Sequence, residues 1–75
     1  MIFVTNDDVM GKNIRFLRQQ QNLTPKGFSE KMHMDPAVLE ALEAGNSKDI
    51  DGQLLERICF FFHISVKTLV EKTLE

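Results

Sequence analysis

Short apolar stripes separated by polar breaks recur about every dozen residues, and no stretch sustains the one-in, one-out alternation of a half-buried strand. Met10, Ile14 and Leu17, spaced i, i+4, i+7, form one such stripe and predict a first helix over roughly residues 6–20. Thr5-x-x-Asp8 reads as a variant capping box for it, with Val4 placed to staple onto the first turn. Gln19-Gln20-Gln21-Asn22 ends the helix in a polar turn. Thr24 then caps a second helix, with Pro25 at the first helical position, where its missing N–H costs nothing. Phe28 and Met32 give that helix a short inward face. Asp35-Pro36 repeats the cap-then-proline signal and opens a third helix, through Leu39 and Leu42, to a stop at Gly45.

Beyond the loop Asn46-Ser47-Lys48-Asp49, Asp51 can cap a fourth helix carrying Leu54, Leu55, Ile58, Cys59, Phe61 and Phe62. His63-Ile64 breaks it, and Ser65 caps a last helix through Val66, Leu69, Val70 and on toward Leu74. Five helices with short connections predict one compact all-α domain in which chain neighbours pack together. The domain is expected over residues 6–75, preceded by an N-terminal arm, 1–5, ordered on dimerisation.

Composition narrows the function classes. The chain has 75 residues, 43% apolar and 27% charged, which is globular and near the lower size limit for a self-sufficient core. No apolar run reaches the length of a membrane span, and the first eight residues lack the marks of a secretory leader, so a cytoplasmic protein is expected. One cysteine, Cys59, and two histidines cannot build a structural zinc site, and no metal or other cofactor is expected. No nucleophile–base set has an identifiable orienting partner and no glycine-rich phosphate loop occurs, so the chain does not read as an enzyme. Net charge is −2, but unevenly spread: residues 1–31 carry +2 and residues 32–75 carry −4. Any basic footprint belongs to the first half.

The second and third helices, each opened by a cap and a proline and joined by His33-Met34, have the spacing of a helix-turn-helix unit. Gly11-Lys12-x-Ile14-Arg15-x-Leu17-Arg18, Leu23-Thr24, Phe28-Ser29-x-x-Met32, Leu39-x-x-Leu42-Glu43-x-Gly45 and Leu55-x-x-Ile58-Cys59-x-x-Phe62-x-Ile64-Ser65-Val66-x-x-Leu69 follow in order. Together they resemble the Cro and lambda-repressor type helix-turn-helix domain over about residues 10–70. The resemblance implies a five-helix, lambda-repressor-like DNA-binding domain with a central helix-turn-helix, used in bacterial and phage regulators and often dimeric. It implies double-stranded DNA as partner, with the third helix in the major groove.

On that resemblance the groove-facing positions are Pro36, Ala37, Val38, Glu40, Ala41 and Ala44, and the phosphate contacts come from Thr24, Lys26, Asn46, Ser47 and Lys48. It also implies that Arg18 and Glu43 form a structural ion pair beneath the surface. The chain departs from the family where DNA is read. Pro25 stands where a glutamine is usual, and no Arg, Lys, Asn or Gln occurs between residues 32 and 45. Those are the side chains that read base edges in pairs of hydrogen bonds. The row of Ala37, Val38, Ala41 and Ala44 with Glu40 therefore also suits a protein partner, and a second function class is a protein-interaction module with weak or no DNA binding.

The remaining residues have plainer readings. Lys12, Arg15, Lys26 and Lys31 read as solvated charges, His33 and His63 as turn residues where the family often has glycine, and Cys59 as an inert core thiol. Phe60-Phe61-Phe62 occupy consecutive helical positions about 100° apart and cannot all face one core, and Phe60 is the one expected outside. An exposed apolar patch marks an interface. A homodimer is expected, with Ile2, Phe3, Phe60, Phe61, Val70 and Leu74 as its candidate contacts.

Overall fold

A computed structural model describes residues 7–46 and 52–74. Five helices follow one another: α1 (Asp7–Gln20), α2 (Pro25–Met32), α3 (Pro36–Glu43), α4 (Gly52–Phe62) and α5 (Val66–Glu71), with no strand among the described residues. Three starts are held by the side chains the sequence places there. Thr24 Oγ1 accepts the Gly27 N–H at 3.0 Å, Asp35 Oδ1 accepts the Ala37 N–H at 2.8 Å, and Ser65 Oγ accepts the Thr68 N–H at 3.0 Å. Each satisfies one of the N–H groups that a helix leaves unpaired at its start. The expected arm, the staple and cap at Val4 and Thr5, and the cap at Asp51 lie outside the described residues.

The first four helices end alike. Asn22, His33, Gly45 and His63 take left-handed backbone angles, with φ of 58°, 53°, 92° and 58°. The next N–H then reaches back five residues: Leu23 to Arg18, Met34 to Ser29, Asn46 to Ala41 and Ile64 to Cys59, at 2.8–3.1 Å. This double-bonded stop turns the chain sharply and keeps each connection short.

Around these turns Met10, Ile14, Phe28, Met32, Leu39, Leu42, Leu54, Ile58, Cys59, Phe62 and Leu69 form one buried core. Leu17 and Leu55 are half-buried at its margin. Phe28 stacks on Phe62 (centroids 5.4 Å apart) and meets Phe61 edge-on at 5.8 Å, so two of the three consecutive phenylalanines are explained by packing. No helix of the described residues is long and apolar enough to cross a membrane.

The last helix is shorter than the apolar spacing suggests. It ends at Glu71, and Leu74 lies beyond it, half-buried. The cause is Asn13 on α1. Its amide nitrogen donates to the carbonyls of Leu69 (2.7 Å) and Lys72 (2.6 Å), and its Oδ1 accepts the Leu74 N–H (3.0 Å). In a continuing helix the Leu74 N–H would go to residue 70. Asn13 takes it instead and ties the chain's far end to the middle of α1.

Candidate nucleic-acid interface

The helix-turn-helix unit consists of α2, the turn around His33 and Met34, and α3. Three features fix α3 from its inner side. Leu39 and Leu42, three residues apart, are buried in the core. Gly11 lets α1 approach the end of α3 closely: a Cβ there would collide with the Leu42 carbonyl oxygen and stand 3.1 Å from that of Glu43. Arg18 then locks the contact. Its Nε donates to Glu43 Oε2 at 2.7 Å, Nη2 to Glu43 Oε1 at 3.0 Å and Nη1 to the Leu23 carbonyl at 2.8 Å. The two side chains retain 8% and 12% of their exposure, so the charges are desolvated but fully engaged, two parallel bonds between them and a third to the loop before α2. Arg18 and Glu43 are therefore spent on holding α3.

The opposite face of α3 is open. Pro36, Ala37, Glu40 and Ala44 are exposed, while Val38 and Ala41 are half-buried at the margins. A groove runs beside it between α1 and the start of α2, lined by Arg15, Pro25, Pro36, Glu40, Glu43 and Ala44 over the buried Leu39. Arg15, read from sequence as a solvated charge, stands on this groove. It lies one turn before Arg18, so its side chain reaches the flank that α3 occupies, and that spacing is the signal in the sequence. Thr24 and Lys26 are exposed at the start of α2, and Asn46 is exposed just past α3. Ser47 and Lys48 lie outside the described residues.

Two polar residues that hold this frame carry no motif of their own. Asn13 falls three residues after Met10 and four before Leu17, on the apolar stripe, and an amide at such a position is a sign of a buried polar tie. Arg57 on α4 donates from Nη2 to the Met32 carbonyl at 2.7 Å and so fastens the end of α2. Of the candidate dimer contacts, Phe60 is 80% exposed, while Phe61, Val70 and Leu74 are half-buried, the first two packed against the core. Ile2 and Phe3 lie outside the described residues. Among the described residues no group of three or more His, Cys, Asp or Glu side chains could hold a metal ion. Cys59 is buried, and burial, followed by the nearby Glu56 charge, raises its thiol above the usual range.

A two-helix unit presents one open helix face, braced from behind by a desolvated arginine–glutamate fork. A family model described as the Cro/C1-type HTH DNA-binding domain matches residues 13–73. The chain belongs to that family. No curated protein and no solved structure gives a significant match.

Proposed function

We propose that the protein is a DNA-binding transcriptional regulator that lays α3 in the major groove of duplex DNA. The observation that carries this reading is the division of α3 into an inner face anchored by Leu39, Leu42 and Glu43 and an outer face of Pro36, Ala37, Glu40 and Ala44 left to solvent. Small side chains there permit close approach to base edges. Ala37, Val38 and Ala41 suit the thymine methyl group, and Glu40 can accept a hydrogen bond from the cytosine amine. Phosphate contacts come from Thr24 and Lys26 at the start of α2, from Asn46, Ser47 and Lys48 after α3, and from Arg15 on the flanking groove. Two copies would read half-sites about one helical turn apart.

Affinity in this reading rests on phosphate contacts and little on base reading, since the outer face has no basic or amide side chain. The same fact favours a second reading, an interaction module that offers Glu40 and the alanine row to a protein. Fluorescence anisotropy of a labelled mixed-sequence duplex, at about 50 mM and then about 200 mM salt, separates the two. DNA binding that weakens steeply with salt supports the regulator. Folded protein that binds at neither salt supports the interaction module.

A further inference from the structure

With DNA on α3, as proposed above, the side chains of that helix limit which base edges it can satisfy. Pro36, Ala37, Glu40 and Ala44 share the outer face, at i−4, i−3, i and i+4 about Glu40, with Val38 and Ala41 at its margins. From Pro36 to Glu43 no side chain is a hydrogen-bond donor. Three carboxylates lie on the helix or just before it. Asp35 accepts the Ala37 N–H, Glu43 is held by Arg18, and Glu40 is left in solvent. The face is therefore one acceptor set in a row of small apolar groups. Arg15 lines the same groove as Glu40 and supplies the positive charge that lets a carboxylate stand among phosphates.

In the major groove guanine presents two acceptors, and adenine presents an acceptor beside its amine. Both ask for a donor that α3 lacks. Thymine presents a methyl group, but its O4 acceptor stands beside that group and against the carboxylate. Cytosine presents an amine donor alone. We infer that α3 takes a cytosine amine with a methyl group beside it. One base shows that pattern in 5-methylcytosine, and two show it where a cytosine adjoins a thymine. Glu40 accepts from the amine, and Ala37 or Ala44, one turn away on either side, covers the methyl group.

Fluorescence anisotropy of the full chain with four labelled duplexes of equal length, at about 50 mM salt, tests this. The first holds only A·T pairs and the second only G·C pairs. The third is the second with 5-methylcytosine throughout, and the fourth mixes both pairs in repeated thymine–cytosine steps. Phosphate contacts are equal in all four, so differences report the bases. The third or the fourth is expected to bind about tenfold or more tightly than the first two, and the tighter of them names the source of the methyl group. Equal affinity for all four, or tighter binding to either of the first two, overturns the inference and leaves DNA held by phosphate contacts. No binding to any duplex overturns the inference and the DNA-binding reading together. Glu40→Gln separates base reading from duplex shape. Glu40 is exposed, so the variant keeps its fold, and the added amide donor should cancel the cytosine preference and favour adenine. A preference that survives Glu40→Gln unchanged also overturns the inference.

Discussion

The two faces of α3 are built on different terms. The inner face is specified completely: Leu39 and Leu42 fill the core, a missing Cβ at Gly11 admits the backbone, and Arg18 binds both oxygens of Glu43. The outer face is specified by nothing inside the molecule. The side chains of Glu40 and Arg15 make no hydrogen bond or ion pair with the described residues, and Pro36, Ala37 and Ala44 touch solvent. The contrast teaches that the scaffold can remain intact while the surface it displays drifts far from the family's usual basic and amide set. Family membership therefore speaks for the frame, and the outer residues alone decide what is bound and how tightly.

That contrast can be broken from the inside first. Arg18→Ala leaves the Glu43 carboxylate desolvated without a partner, and removing one side of such a pair costs about 3–5 kcal/mol. Chemical denaturation should show that loss, whereas Arg18→Met combined with Glu43→Leu should recover most of it, because the penalty comes from the orphaned charge. Asn13→Ala strands the Leu69 and Lys72 carbonyls and the Leu74 N–H, and the expected loss is about 2–3 kcal/mol. Hydrogen exchange at Leu74 should accelerate in that variant while α2 and α3 keep their protection.

Smaller effects are expected at the turns and at the buried thiol. His33 and His63 hold left-handed backbone that glycine adopts without strain, so His33→Gly and His63→Gly should each stabilise by up to about 1 kcal/mol in thermal melts. The raised Cys59 thiol stays protonated in the folded protein, while in the unfolded chain it ionises in the ordinary range near about 8.5. Its contribution is thus fully present below that range and is lost as pH rises toward the raised value. Stability should decline on that alkaline side, and alkylation at neutral pH should proceed only as fast as the protein opens. On the outer face, Glu40→Lys with Ala44→Arg should change stability by less than about 0.5 kcal/mol. The same pair should strengthen DNA binding at low salt, and anisotropy would register no such gain if α3 lies away from the duplex.

Much of the frame was legible in the chain. The cap-and-proline pairs at Thr24-Pro25 and Asp35-Pro36 marked α2 and α3 because capping chemistry is local and leaves its residues in sequence. Phe60 could be assigned outward because helical geometry forbids three consecutive side chains one face. The burial of Asn13 shows in its place on the apolar stripe, but its partners and the early end of α5 were not legible, because a carbonyl more than fifty residues away leaves no trace beside the amide that binds it. Arg15 shows in the sequence only by its spacing from Arg18, since its place on the α3 groove depends on how α1 crosses α3, which Gly11 and Arg18 determine once folded. The partner of the outer face has no counterpart within the chain, so no packing rule points to it.

The most direct test maps the backbone amides of the folded, isotope-labelled chain while a mixed-sequence duplex is added at low salt. The account predicts that shifts concentrate at Thr24, Lys26, Ala37, Glu40, Ala44 and Asn46, with Arg15 beside them, and spare α4 from Gln53 to Phe60. Shifts confined to α4, or none at any duplex concentration, would contradict the placement of DNA on α3.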